Sequence, residues 1–196
     1  MIIEINDNIK ESLKSSNFSL EFIDNCFNSK FLAIEENNSV IIGAAFVGGF
    51  LNSYGIEILE DFRGKGLSKK LFIEIFDESK KRKLSMLTGV FKPSNTISIK
   101  LHTKMGFIPV FSIYYNKIEK QEIVVILPLN YSGKIFLFLS RFFNTRFGNI
   151  IFILLFKLLK PILKNMIAFS GDKIPKIDFI LGIKNFQKVQ NIITDI

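Results

Sequence analysis

The chain has 196 residues, 48% of them hydrophobic, and a formal net charge of +8, which suits one globular α/β domain with room for an appendage. Its single cysteine, Cys26, excludes an intramolecular disulfide and fits a reducing compartment such as the cytoplasm. Because the chain also contains only one histidine, a zinc site is not expected. The first residues contain acids and no long apolar run, so no signal peptide is predicted.

The charge is unevenly distributed along the chain. Residues 1–130 are nearly neutral, whereas residues 131–196 carry 10 Lys and Arg against 3 Asp and Glu. A strongly basic C-terminal part predicts an anionic surface as partner, either a membrane or a nucleic acid.

The first quarter of the chain predicts short helices followed by a β-hairpin. Residues 9–27 indicate one or two helices. Their predicted inward positions are Ile9, Leu13, Phe22, Ile23 and Phe27. The apolar runs 31–36 and 40–50 flank the turn residues 37–39 and predict two paired strands. Gly48 and Gly49 near the end of the second run predict a bend or a close backbone approach.

A third strand pattern, residues 53–59, runs into a glycine turn and a helix. After Gly64 and Gly66, apolar residues recur at helical spacing. They are Leu67, Leu71, Phe72, Ile75 and Phe76. Strand, glycine turn and helix start together predict an anion site, because the N–H groups of the first helical turn point at the ligand. A dinucleotide fingerprint would need glycine at Lys69, and a P-loop has a different glycine spacing, so neither fits.

After this helix, strand and helix patterns alternate up to residue 127. Residues 80–83, all cationic, end the helix and are interpreted as a solvated end rather than a nucleic-acid patch. Then follow a strand at 84–91, a helix at 95–105 and two closing strands at 107–115 and 121–127. Gly106 is placed to cap the second helix and Phe107 to pack behind it.

Two of these stretches resemble motifs of the GNAT family of N-acetyltransferases. Arg63 to Ser68 matches the acetyl-CoA signature Gln/Arg-x-x-Gly-x-Gly/Ala, except that Ser68 stands where glycine or alanine is usual. Residues 95–107 match the later motif Asn-x-x-Ala-x-x-Leu-Tyr-x-Lys-x-Gly-Phe. The matching positions are Asn95, Leu101, Lys104, Gly106 and Phe107, with Ser98 in place of alanine and His102 in place of tyrosine.

The resemblance covers roughly residues 1–129 and implies the family's fold and ligands. The fold would be α/β (α+β), with a mixed, mostly antiparallel sheet that is flanked by helices and splits where the central strand diverges. Acetyl-CoA would be the co-substrate, with its pantetheine arm in that split, an amine the acceptor, and no metal would be needed. The implied cofactor contacts are Ile58 and Leu59 (pantetheine and thioester oxygen), Arg63, Gly64, Lys65, Gly66, Leu67 and Ser68 (pyrophosphate), Asn95 (pantetheine arm), and Ser98, Leu101 and Lys104.

Acetyl transfer also needs a base for the amine and an acid for the leaving thiolate. His102 replaces the family's usual tyrosine acid, and it either protonates the thiolate or packs beside the sheet. Glu57 and Glu60 are the candidate bases; strand alternation puts them on opposite faces, and Glu57 is favoured. Cys26 is expected to be a buried small hydrophobe rather than a nucleophile.

Residues 130–196 are predicted to form a separate helical appendage. From Lys134 to Phe169 the chain carries six Lys and Arg and no acid, and its longest uncharged run is too short for the ~20 residues that span a bilayer. Lys157, Lys160 and Lys164 recur at helical spacing, and Pro161 is expected to bend the helix. A strand-like segment at 174–183 and a short helix at 185–193 follow.

Two interpretations of the appendage stay open. It lies in the interface of an anionic membrane as a basic amphipathic segment, or it packs on the enzyme domain with its lysines in solvent. Nucleic acid is disfavoured, because the aromatic residues sit in continuous apolar runs.

The sequence therefore leaves two functions. One is an active N-acetyltransferase in the cytoplasm, peripheral on the inner face of a membrane. The other is a catalytically impaired acyl-CoA-binding module that acts there as a sensor or scaffold. The replacement of tyrosine by His102 is the feature that favours the second.

Overall fold

A computed structural model describes residues 1–49, 51–115, 120–143, 145–148, 150–151, 154–155, 158 and 176–178. The chain divides into two compact units, Met1–Leu87 and Thr88–Ile196.

The first unit contains four antiparallel strands, which lie side by side in chain order. They are β1 (Ile2–Ile3), β2 (Ser29–Asn37), β3 (Val40–Gly48) and β4 (Ser53–Ile58). The predicted hairpin is confirmed: β2 and β3 are joined through Asn38 and Ser39, whose φ angles of 49° and 64° suit a two-residue turn of the I′ type. The sequence did not predict β1, because two residues are too short for a strand period.

Three helices cover this sheet. They are α1 (Asp7–Ser15), α2 (Leu20–Phe27) and α3 (Leu67–Lys81). α1 and α2 bury Leu13, Phe22 and Ile23 in a cluster that includes Ala44 of β3. A Cβ atom built on the neighbouring Gly43 would lie 3.3 Å from Leu71 Cδ1 of α3. Neighbouring strand residues face opposite sides, so α3 covers the other face of the sheet.

The second unit contains strands in the order β5-β7-β6-β8. The elements are β5 (Met86–Phe91, which begins just before the unit does), α4 (Thr96–Lys104), β6 (Ile108–Tyr115), β7 (Lys120–Pro128), α5 (Tyr131–Phe143) and β8 (Lys176–Asp178). β6 pairs antiparallel with both β7 and β8. β8 lies inside the strand-like segment that the sequence predicts.

α5 packs against β6 and β7 and buries Gly133, Leu137 and Ser140. Both α5 and β8 therefore contact strands of this unit, although both come after the predicted boundary at residue 130, which stays a prediction. The predicted helix 185–193, Lys157, Lys160, Pro161 and Lys164 lie outside the described residues. Within the described residues, no helix combines the length and apolarity that crossing a bilayer requires.

Candidate functional site

The last two amides at the end of β4 point to opposite sides of the strand. The Leu59 N–H donates to Ile42 O at 2.9 Å and so extends the pairing with β3. In an antiparallel ladder, successive N–H groups point to alternate sides, so the Ile58 N–H points away from β3. Of the two amides that the sequence assigned to the thioester and pantetheine, the Leu59 N–H is bonded to β3, and the Ile58 N–H points to the other side of β4.

A 3₁₀ turn, Glu60–Phe62, follows the strand and was not predicted. Arg63 comes next, and its Nε donates to Ile58 O at 3.1 Å, so the side chain folds back onto the end of β4. Lys65 Nζ lies 4.8 Å from the centroid of the Phe62 ring, within cation–π range. These contacts fix the turn that carries the two glycines.

Gly64 and Gly66 have φ angles of 77° and 78°, in the left-handed region that favours glycine. A Cβ atom built on either would meet no described atom within 4 Å, so the backbone is open to a ligand on this side. Gly66 is the N-cap of α3, and among the described residues no side chain caps this helix. The N–H groups of Leu67 and Ser68 thus begin a helix whose dipole favours an anion.

The charges around this turn fit an anionic ligand. The first turn of α3 contains no acid. Lys65 and Lys69 are exposed and make no ion pair among the residues that the structure describes. Lys70, by contrast, is held by Glu35 at 2.6 Å, and this hydrogen bond raises the pKa of the Lys70 amine. Residues 63–68 therefore fit the pyrophosphate of acetyl-CoA in backbone geometry and in charge.

Glu57, the favoured base, is held by the start of α2. Its Oε1 accepts a hydrogen bond from the Ser19 N–H at 3.0 Å, and its Oε2 accepts one from the Ser19 hydroxyl at 2.7 Å. Ser19 is the N-cap of α2, so the carboxylate of a neighbouring strand supplies the anionic cap. Glu60 is exposed on the 3₁₀ turn.

Cys26 is fully buried, as expected. Burial, with a smaller contribution from the charge of Glu57, raises the pKa of its thiol to about 12. The thiol therefore stays protonated at neutral pH and is a poor nucleophile.

On α4, Asn95 has a structural use in addition to the predicted one. It is the N-cap, and its Oδ1 accepts a hydrogen bond from the Ser98 N–H at 3.0 Å. Its amide nitrogen remains a donor that the cap does not use. Ser98 and Leu101 are half-buried and Lys104 is exposed.

α4 ends in the way the sequence predicts. Gly106 has a φ of 85° and donates to Thr103 O at 3.0 Å, while the Phe107 N–H donates to His102 O at 3.0 Å. This pair of bonds is a Schellman motif, and the Phe107 ring packs edge-on against the His102 ring at 4.9 Å.

His102 is buried, with 7% of its surface exposed. Its Nδ1 lies 2.7 Å from Ser98 O, and because a carbonyl only accepts, Nδ1 carries the proton. Burial lowers the pKa of His102, while the Ser98 hydrogen bond acts in the opposite direction with a smaller effect, so the ring is neutral at pH 7.

The surroundings of His102 are those of a packed residue. Its ring lies 5.0 Å from the ring of Phe91, and a Cβ atom on Gly89 would come within 2.7 Å of it. A neutral ring with its proton on Nδ1 must first gain a proton before it donates one elsewhere. This geometry supports the packed alternative over the acid; the catalytic assignment stays a prediction.

The predicted residues therefore fall into two groups along the chain. Residues 57–68 form one continuous stretch of the first unit, from the candidate base to the glycine turn. Asn95, Ser98, Leu101, His102 and Lys104 lie on or cap α4 in the second unit. The sequence pattern missed the contact between Glu57 and Ser19, because no spacing rule links residues 38 positions apart.

Comparison with protein families identifies residues 3–107 with the acetyltransferase (GNAT) family. The fold also resembles solved structures at low sequence identity. The ribosomal-protein-S18-alanine N-acetyltransferase of Escherichia coli is 18% identical, with a TM-score of 0.54 over 68% of this chain and 96% of that chain. An N-acetyltransferase of Staphylococcus aureus is 19% identical, with a TM-score of 0.52 over 66% and 98%.

A GNAT family acetyltransferase of Elizabethkingia anophelis, solved with acetyl-CoA bound, is 21% identical, with a TM-score of 0.51 over 66% of this chain and 97% of that one. At such identities the likeness shows the fold alone, and it confirms the predicted α/β (α+β) class with mostly antiparallel strands flanked by helices. None of the curated proteins compared with the chain matches it in sequence.

Proposed function

The chain belongs to the GNAT acetyltransferase family, and we propose that it moves an acetyl group from acetyl-CoA to an amine acceptor. The observation that supports this most directly is the open start of α3. Two left-handed glycines, an uncapped helix N-terminus and exposed cations stand together where the family's motif places the pyrophosphate. A glycine turn that served folding alone would not need to leave that helix uncapped.

In this proposal the chain holds the cofactor mainly through its backbone. The amides of residues 63–68 bind the pyrophosphate, and the Nδ2 group of Asn95 donates to the pantetheine arm. Acetyl-CoA, when bound, supplies an acetyl group activated as a thioester. The Ile58 N–H, which points away from β3, donates to the thioester oxygen; one such fixed donor typically contributes about 10²–10³ in rate.

Glu57 is the group that we propose takes the proton from the amine. Each of its oxygens accepts one bond from Ser19 and keeps a second lone pair that can accept a bond from the amine or from a water that leads to it. The Ser19 contacts also fix the direction of the carboxylate. Ser98, Leu101 and Lys104 remain proposed cofactor contacts. The assignment of His102 as the acid for the thiolate stays a prediction that its packed surroundings do not favour.

The base is tested with a matched pair of variants. Glu57→Gln keeps a hydrogen-bond acceptor for Ser19 but loses the basic oxygen, so turnover should fall about 10²-fold with little change in CoA affinity. Glu60→Gln makes the same charge change on the exposed 3₁₀ turn and should leave turnover unchanged. Equal turnover in both variants and the parent would remove Glu57 from the proposal.

The proposal also includes a location: the cytoplasm, on the inner face of a membrane. It is supported by the single cysteine, by the basic C-terminal third of the chain and by the surface of α5. CoA release measured over a panel of amines, with and without anionic vesicles, tests activity and location together. Release that no amine stimulates would contradict the transferase.

A second candidate is a catalytically impaired module that binds acyl-CoA without turning it over. The neutral, packed state of His102 favours it, since at pH 7 the one proton of the ring is on Nδ1 and is already directed at Ser98 O. Tight CoA binding by calorimetry together with no amine-dependent release would identify this second function.

A further inference from the structure

α5 is apolar on both of its sides, but only one side is packed. The buried side carries Leu137 and contacts β6 and β7. The opposite side exposes large apolar residues at positions i, i+4, i+7, i+8 and i+11, with Phe138 71% exposed. They are Tyr131, Ile135, Phe138, Leu139 and Phe142. This spacing places them in one stripe along the helix.

The helical residues that follow repeat this arrangement. Residues 146–148, 150–151, 154–155 and 158 are helical. Their exposed apolar side chains fall at i, i+3, i+7, i+8 and i+11, with Leu154 61% exposed. They are Phe147, Ile150, Leu154, Leu155 and Leu158. α5 and the described helical residues after it thus both expose apolar side chains at helical spacing, which monomeric soluble proteins rarely do over so many residues.

The charge along this part of the sequence has one sign only. Between Glu122 and Asp172 the sequence contains six Lys and Arg and no acid. Lys134 and Arg141 are exposed on α5, seven residues apart and beside its stripe, and Arg146 is exposed at the start of the next stretch. Among the described residues these three cations make no ion pair.

We propose that these two stripes and their flanking cations, together termed the basic apolar face, dock on an anionic lipid bilayer in the plane of the headgroups. The apolar side chains enter the boundary between headgroups and acyl chains, and the cations meet lipid phosphates. An interfacial segment needs both features, whereas a helix packed on protein needs no outward apolar stripe. This docking specifies the lipid surface for the membrane location given under the proposed function, and it rests on that function.

The other occupants of such a face are less consistent with its chemistry. A second copy of the chain would bring its own cations against these cations, and like charges repel. A nucleic acid would meet the cations but leave the apolar stripes in contact with a polar backbone. Anionic lipid satisfies both parts of the face at once.

The experiment is co-sedimentation of the full chain with vesicles of phosphatidylglycerol, of phosphatidylcholine, and of mixtures. The chain should sediment with the anionic vesicles and much less with the neutral ones. Higher salt should weaken the binding without abolishing it, because salt screens charge but not apolar burial. Full-length protein that stays in the supernatant with phosphatidylglycerol vesicles at low salt overturns the proposal.

Variants on the exposed side test the face without touching the packed side. Phe138→Glu combined with Leu154→Glu should abolish sedimentation. Leu20→Glu, on α2 and 81% exposed, makes the same kind of change elsewhere and should sediment as the parent does. Lys134→Gln with Arg141→Gln should weaken binding to anionic vesicles roughly 25-fold, about fivefold for each cation.

Three further results would overturn the docking. The first is that the Phe138 and Leu154 double variant sediments as well as the parent. The second is that the Leu20 control loses sedimentation to the same extent as the double variant. The third is that the parent forms a dimer in solution and binds no vesicle, while the double variant is a monomer. CoA binding measured by calorimetry on the same proteins keeps the two proposals apart. Intact CoA binding without sedimentation removes the membrane alone, and sedimentation without CoA binding removes the acetyl-CoA site alone.

Discussion

The starts of α3 and α4 differ in how their first N–H groups are satisfied. Both helices lie in the family's motifs, and both follow a strand and a short turn. At α4, the side chain of Asn95 accepts from the Ser98 N–H at 3.0 Å and closes the helix start with the chain's own atoms. At α3, the N-cap is Gly66, which has no side chain to offer.

The difference supports the start of α3, rather than that of α4, as the place where the proposed cofactor binds. Relative to glycine, a side-chain cap typically stabilises a protein by about a few tenths of a kcal/mol, and α3 forgoes that contribution. Its glycines instead leave space above the first turn, where a Cβ atom added at Gly64 or Gly66 would have no described atom within 4 Å. A helix N-terminus that is left uncapped and open can receive an anion; one that is capped serves folding first.

The two helices end alike, which makes the contrast at their starts specific. Both close in a Schellman motif, with Lys83 at the left-handed position after α3 and Gly106 at that position after α4. Lys83 has a φ of 56°, a conformation that a side chain disfavours. The two helices therefore differ at their N-terminal ends and not at their C-terminal ends.

The largest expected effect comes from closing the open start. Gly66→Glu places bulk and negative charge against the pyrophosphate, so CoA affinity should fall by about 100-fold or more, beyond what calorimetry detects. Gly49→Glu is the matched control, since Gly49 also has a positive φ, 67°, and open space around it. If the Gly66 variant bound CoA like the Gly49 variant, the cofactor would bind elsewhere.

The capped start should respond in stability. Asn95→Ala removes the bond to the Ser98 N–H and should lower the free energy of unfolding by about 1 kcal/mol, or Tm by about 3 °C. Asn95→Asp keeps an accepting oxygen and should restore stability while lacking the Nδ2 donor. Weaker CoA binding in Asn95→Asp at normal stability would show a ligand contact as well as a cap; unchanged binding would reduce Asn95 to the cap.

A smaller effect is expected at the end of α3. Lys83→Gly relieves the left-handed strain but loosens the unfolded chain, so the net gain should be about 0.5 kcal/mol. Gly106→Ala makes the reverse change at the end of α4 and should destabilise. Chemical denaturation of both variants measures whether each substitution raises or lowers the free energy of unfolding. A destabilised Lys83→Gly would contradict the account of that turn.

The smallest effect on turnover is expected at His102. An essential acid replaced by phenylalanine would lower turnover about 10²-fold. Because the ring is neutral, bonded through Nδ1 to Ser98 and packed against aromatic rings, we expect His102→Phe to stay within about tenfold of the parent, with CoA affinity unchanged. A 10²-fold loss at normal stability would restore His102 as the acid.

The pH dependence of stability is a second measurement that tests the buried, neutral state of His102. The pKa of His102 is lower in the folded chain than its usual 6.5. At a pH between the folded and the unfolded pKa, the unfolded chain therefore binds more protons than the folded chain does. Stability is therefore fully present above about pH 6.5 and declines as the pH falls through the lower pKa. Thermal unfolding of His102→Phe should lose less stability from pH 7.5 to pH 5 than the parent does.

The sequence by itself determined the parts that depend on near neighbours. The β2–β3 hairpin, the glycine turn before α3, and Gly106 with Phe107 after α4 all arise from residues a few positions apart. Their φ angles and hydrogen bonds follow from local chemistry, so the pattern predicts them. The family motifs are local in the same sense, and the match over residues 3–107 confirmed the family that they predict.

Only the tertiary structure decided the parts that depend on residues distant in sequence. Ser19 reaches Glu57 across 38 positions, and the Gly89 backbone closes on His102 once a strand and a helix pack together. Likewise, the apolar residues of α5 look equivalent in sequence, yet contacts with β6 and β7 bury Leu137 and leave Phe138 outside. Periodicity gives a residue its place around the helix, but burial and proton position depend on what packs against that place.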